Sequence, residues 1–209
     1  VQAEVAGALW GLAISEDIEA KIAEKNAIVV LVGACKSHLN NTRVLARVAG
    51  ALRKLSATDE NKKQVAELGG VELLIQAAEI HLANDVVQAG VAGVISNLSV
   101  DDEIEAMVAD AKGIETLFSA AKAHTTSVKV QGRVVRALTN LSVKEKNKEK
   151  IGSTEGLLAL LESAKAHPDS AEVQAGVAGA LRNLSINPTI ADAIVEKEAI
   201  PTLVQAAKS

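Results

Sequence analysis

Aromatic residues are almost missing from this 209-residue chain, which has Trp10, Phe118 and no tyrosine. A core must therefore be built from Ala, Val, Leu and Ile, side chains that suit closely packed helices, and base stacking on nucleic acid has almost no platform. Only three prolines interrupt the chain, which again favours helix. Cys35 is the single cysteine, so no intramolecular disulfide can form and a reducing compartment, cytoplasm or nucleus, is expected. No run approaches the roughly 18 consecutive apolar residues of a membrane-spanning helix, and no charged-then-apolar leader ends in small residues. Catalytic signatures are missing too: no G-x-S-x-G, no glycine-rich loop ending in Lys-Ser/Thr, no H-E-x-x-H, and no cysteine set beside a histidine by a recognisable motif. A non-enzymatic protein without cofactor or metal is expected.

What is present is repetition. Apolar residues make up 48% of the chain, ample for a continuous core. The segment Val44-Leu-Ala-Arg-Val-Ala-Gly-Ala-Leu-Arg-Lys-Leu-Ser56 returns at Val87 to Ser99, Val130 to Ser142 and Val173 to Ser185, and Val1 to Ala13 is a fifth copy. The starts, 1, 44, 87, 130 and 173, are 43 residues apart each time. Within a copy Val173, Val177, Ala180, Leu181 and Leu184 make one stripe of a 3.6-residue period, hence a helix that buries one face.

Two more helices fit between copies. The first is short and opens on Thr58-Asp-Glu, Asp101-Asp-Glu or Asn187-Pro188, residues that cap a helix N-terminus, with proline at the first helical position. A glycine is expected to break it at Gly70, Gly113 and Gly156, with Ala199 in the same register. The second runs through Leu73-Leu74, Leu117-Phe118 and Leu160-Leu161 and ends before polar stretches such as His167-Pro-Asp-Ser170.

With Val177-Ala-Gly-Ala-Leu-Arg-Asn-Leu-Ser185, a short helix, a small-residue turn and Ala199-Ile-Pro-Thr-Leu-Val204, the chain resembles the armadillo repeat family over its whole length, in the style of β-catenin and plakophilin. Two-helix HEAT repeats are the alternative for this period. The resemblance implies an all-α, right-handed α-solenoid, a superhelix of about five repeats with three helices per 43 residues. It implies a single array over 1–209: a third helix at 1–14, repeats at about 16–57, 59–100, 102–143 and 145–186, and a partial repeat at 188–209. The third helices would line a concave groove that binds extended peptides or partner proteins. Both ends of the array read as open, with Leu9, Trp10 and Leu12 as ordinary core residues, so an internal spacer or self-association segment of a larger protein is the other functional reading.

Charge separates along the repeat. All six arginines, Arg43, Arg47, Arg53, Arg133, Arg136 and Arg182, fall on the third helix or at its entrance. The five thirteen-residue segments carry Arg47, Arg53, Lys54, Arg133, Arg136 and Arg182 against Glu4, a net +5, whereas the whole chain is −4 and the remainder therefore −9. A basic groove would attract an acidic or phosphorylated protein segment. Nucleic acid is disfavoured by the scarcity of aromatics and the overall acidity. Alternatively the arginines tie neighbouring repeats through ion pairs.

Asn97, Asn140 and Asn183 share one register, with Lys54 and Gly11 in the other copies. In armadillo proteins that grip extended peptides, asparagines here hold the peptide backbone, one amide serving as donor and acceptor. The resemblance carries that role to these three; the alternative is that each satisfies a neighbouring helix end. Nuclear-import adaptors of this family place a tryptophan four residues earlier, where this chain has Gly7, Gly50, Gly93, Arg136 and Gly179, so import of basic signals is not implied. Glycine inside a helix costs about 1 kcal/mol against alanine, so Gly90, Gly93, Gly176 and Gly179 need a reason, either close packing between repeats or close approach of a ligand. His38, His81, His124 and His167 are also 43 apart; capping of the second helix is expected. Helices pack roughly 8 to 10 Å apart, too far for histidines of successive repeats to share a metal.

Overall fold

The computed structural model describes residues 1–207, and these form fifteen α-helices and no strand. After α1 (Gln2–Leu12), each period holds a short, a medium and a long helix. They are α2 (Glu16–Glu24), α3 (Ala27–Ser37) and α4 (Thr42–Leu55); α5 (Asp59–Glu67), α6 (Gly70–Ile80) and α7 (Asp85–Leu98); α8 (Asp102–Asp110), α9 (Gly113–Ala123) and α10 (Val128–Leu141); and α11 (Glu145–Ile151), α12 (Thr154–Ala166) and α13 (Ala171–Leu184). α14 (Pro188–Glu196) and α15 (Ala199–Ala206) follow. Positions 208 and 209 of the expected partial repeat lie outside the described residues. Contacts divide the chain into two compact units, Val1–Gly113 and Ile114 onward.

The long helices begin two residues before the valines that mark the repeat. Asn41, Asn84, Ser127 and Ser170 stand three residues ahead of those valines, and each side-chain oxygen accepts the valine N–H. Each satisfies one of the donors that a helix N-terminus leaves orphaned. Short helices use the same device where the sequence supplies it: Thr58, Asp101 and Asn187 accept from the first turn, and Pro188 takes the first helical position.

The short-to-medium turn is made differently from the expectation. The residue in the left-handed region is the one before the expected break, namely Asn26, Gly69, Lys112 or Glu198. The glycines at 70 and 113 are already helical, and their role is close approach: a Cβ at Gly70 would stand 2.6 Å from the Val65 carbonyl oxygen, and one at Gly113 would stand 2.7 Å from that of Val108. The α11–α12 connection has no left-handed residue; Ser153 is extended and caps α12, which starts at Thr154 and is two residues longer than α6 or α9.

In the first unit α4 packs between α1 and α7, and α3 against α6; in the second, α10 packs against α13, and α12 against α13 and α15. Side chains at the repeat valines and leucines, Val44, Leu52 and Leu55 or Val173, Leu181 and Leu184, are almost fully buried.

Candidate functional site: the long-helix faces

Of the residues expected to form the site, the first unit holds Arg47, Arg53, Lys54 and Asn97. Arg47 is exposed, and its guanidinium lies over the Trp10 ring, 5.7 Å from the centroid, within cation–π range. The ring in turn fills the space a side chain would occupy at Gly50, where a Cβ would come within 2.7 Å of it. Trp10 is therefore half-buried rather than the ordinary core residue expected. Arg43, at the helix entrance, pairs with Glu4 of α1 on an exposed surface. The Lys54 ammonium donates to the Ala13 carbonyl at the end of α1. Glu19 of α2 faces this cluster; burial raises its carboxyl above the usual range, while Lys54 and Arg53 pull it back.

Asn97 does for α7 what Lys54 does for α4. Its Nδ2 donates to the Arg53 carbonyl (2.8 Å) and to Ser56 Oγ (3.1 Å) at the C-terminus of α4. In the second unit Asn183 Nδ2 donates to the Thr139 carbonyl and to Ser142 Oγ, both at 3.1 Å, at the end of α10. The amide hydrogens of both asparagines thus close the preceding long helix, the structural alternative weighed above, and the oxygen is what each half-buried side chain leaves for a ligand. Arg133, Arg136 and Asn140 share α10; Arg136 is exposed, while Arg133 and Asn140 are half-buried. Arg182 of α13 is exposed.

Gly90 and Gly176 follow the packing alternative. A Cβ at Gly90 would sit 2.6 Å from the Cβ of Ala49, and one at Gly176 would sit 2.4 Å from Val135 Cγ2. Two of the histidines depart from expectation: instead of turning back on its own helix, His81 reaches the previous repeat, with Nε2 2.7 Å from the Leu39 carbonyl and Nδ1 3.1 Å from Thr42 Oγ1. His167 repeats this with the Thr125 carbonyl at 2.7 Å. Closure of the medium helices falls to residues the sequence reasoning missed. Gln88, Gln131 and Gln174 each donate from Nε2 to two carbonyls, those of Ala78 and His81, Ala121 and His124, and Ala164 and His167. Their 43-residue spacing was the available signal.

The sequence pattern of the kinesin-associated protein (KAP) family matches residues 6–208. The chain belongs to that family. Solved structures similar to this KAP-family chain include an engineered protein, 25% identical, with a TM-score of 0.82 over 99% of this chain and 85% of that one. A computationally designed armadillo repeat protein for modular peptide recognition is 20% identical, with a TM-score of 0.80 over 97% and 84%. A chain from a study of the phosphorylation-switched interaction of cadherin and β-catenin is 17% identical, with a TM-score of 0.52 over 90% of this chain and 43% of that one. No curated protein matches. The KAP-family chain thus has the armadillo-type α-solenoid fold. Among its described residues no group of three or more His, Cys, Asp or Glu could hold a metal, and no helix is long and apolar enough to cross a membrane.

Proposed function

We propose that this KAP-family chain is a non-catalytic protein-binding scaffold, acting in the cytoplasm or nucleus, whose long-helix faces hold an extended acidic segment of a partner protein. The observation that carries this reading is the charge of those helices. With their boundaries as observed they carry Arg43, Arg47, Arg53, Lys54, Lys129, Arg133, Arg136 and Arg182 against Glu4, Asp85 and Glu172, in a chain whose net charge is −4. Arg47, Arg136 and Arg182 are exposed, where a guanidinium can pair with carboxylate or phosphate in a bidentate fork. The free oxygens of Asn97 and Asn183 suit peptide N–H donors, and Asn140 stands in the same register. The family takes its name from association with another protein, kinesin, and a neighbouring fold was designed for peptide recognition; both agree with a binding role.

The test compares partners cross-linked to the wild-type chain with those cross-linked to a variant carrying Arg47→Glu and Arg182→Glu, at low and at moderate salt. Loss of acidic segments from the variant, with wild-type capture weakening as salt rises, supports the reading. An identical set of cross-linked segments from both proteins overturns it and leaves the spacer role.

A further inference from the structure

The medium helices of the second unit frame a cleft that the basic faces do not use. Between α9 and α12 lies a cavity of about 440 Å³, walled by Phe118, Leu158 and Ala159 and floored by Gln131 and Ser163. Its size falls in the range of ligand-binding pockets. The donors of the floor are committed: Gln131 Nε2 to two helix-end carbonyls, and Ser163 Oγ, 2.5 Å from Gln131 Oε1 and 2.7 Å from the Ala159 carbonyl, to those acceptors. With Phe118, Ala121, Leu158 and Ala159 around it, the slot favours an apolar side chain.

The cleft arises where the repeat is irregular. α12 begins early, so Thr154 and Glu155 extend its wall. Opposite, Phe118 stands in the register that holds Val32, Ile75 and Leu161 elsewhere, and its ring reaches Gly156, where a Cβ would lie 2.8 Å from Cζ.

The rim supplies charge. Glu155, Leu158, Ala159 and Glu162 all line the cavity and fall at i, i+3, i+4 and i+7, one face of α12, while the exposed Lys122 of α9 lines the opposite wall. The two carboxylates are therefore about 10 Å apart along the axis, at 1.5 Å per residue. Both are exposed, and among the described residues neither side chain has an ion pair or hydrogen bond. The α12 wall, an apolar strip between two uncommitted carboxylates, is complementary to a segment with apolar residues between two cations, with the Lys122 ammonium on the α9 side. We propose that this cleft is a second protein-docking site, taking a side chain of leucine or phenylalanine size from a partner segment flanked on both sides by lysine or arginine. Its polarity is the reverse of the acidic segment proposed for the long-helix faces, and it stands independently of that reading.

The test is fluorescence anisotropy of a labelled probe peptide, Lys-Ala-Ala-Leu-Leu-Ala-Ala-Lys, titrated with the full chain at about 0.15 M salt, where surface attraction alone is largely screened. Saturable binding is expected. It should weaken about tenfold or more in the double variant Glu155→Lys with Glu162→Lys, in Ala159→Trp, which fills the slot, and with a probe whose leucines are serine, while Glu79→Lys, the same charge reversal on an exposed residue of α6 in the first unit, leaves it unchanged. The rim variants replace exposed side chains, and thermal unfolding verifies that they fold. Absence of saturable binding overturns the proposal. So does equal binding to the rim variants, to Ala159→Trp or with the serine probe, or an equal loss in Glu79→Lys.

Discussion

The long helices of the two units, α4 with α7 and α10 with α13, come from one template and are held by the same devices, yet they differ where charge is carried. Asn97 and Asn183 close the end of the preceding long helix with the same pair of bonds, and Gly90 and Gly176 admit the same close approach. Against that constant frame, α4 has four cations and α7 has Asp85 alone, with every residue from Val87 to Ser96 buried. α10 and α13 share their cations, and one of them, Arg182, is exposed on α13. Positions that bond to a neighbouring helix end are constrained by geometry; positions that face outward are free to set what each unit attracts.

The largest expected effect separates the units through the glutamine ties. Gln131→Leu removes the donor to the Ala121 and His124 carbonyls and also the acceptor beside Ser163 Oγ, leaving buried groups unpaired at about 1–3 kcal/mol each. Gln88→Leu loses the donor alone. Chemical denaturation should show Gln131→Leu as the more damaging by about 1 kcal/mol, one further buried hydrogen bond. Equal losses would mean that the contact with Ser163 adds nothing.

Next is the close approach of long helices. In Gly90→Val the new Cβ meets the Cβ of Ala49, with the Ala49 carbonyl carbon 3.3 Å away, so backbone must move, at a cost of about 1–3 kcal/mol. In Gly176→Val the obstacle is chiefly one methyl of Val135, which can change rotamer, and removing glycine from a helix returns up to about 1 kcal/mol. Melting temperatures should fall further for Gly90→Val than for Gly176→Val; the reverse order would break the comparison.

The architecture was legible because 43-residue periodicity and apolar spacing state the number and length of helices directly. Basic long helices were legible for the same reason, since charge can be counted by register. Side-chain commitments were harder to see. An asparagine ladder looks the same in sequence whether its amides bond a peptide or a helix end, and only the distances from Asn97 and Asn183 show that their Nδ2 groups bond to a helix end. His81 reaches Leu39, 42 residues away, a contact set by how successive medium helices stack rather than by local pattern. The turn at Gly69 and Gly70 was misplaced by one residue, because a glycine needed for close approach and one needed for positive φ read alike. The α9–α12 cleft escaped altogether: it depends on where α12 starts, and the unbroken repeat hides that shift.

The smallest effect concerns the short helices, where one register holds Glu19, Lys62, Glu105 and Lys148. The lysine side chains of Lys62 and Lys148 are largely buried, each paired at 2.7 Å with an exposed carboxylate three residues earlier, Asp59 or Glu145. Hydrogen bonding from lysine holds both carboxyls below their usual values, and Asn187 lowers Glu145 further. A group whose folded pKa is depressed contributes stability above its unfolded pKa, about 4 for these carboxyls, and loses it as pH falls through the folded value. Glu19 has the opposite sign, since partial burial raises it, and its protonation on acidification relieves an unfavourable, partly desolvated charge. The melting temperature should therefore be flat from neutral pH to about 5, then fall below about 4 with a slope that Glu19 partly offsets. In the double variant Asp59→Asn with Glu145→Gln it should start slightly lower at neutral pH and fall less steeply, meeting the wild-type curve once the pH lies below the depressed folded values, where the wild type has lost these charges too. Parallel curves would show that the buried lysines gain nothing from their carboxylates, and that burial of the lysine stems alone holds the short helices in both units.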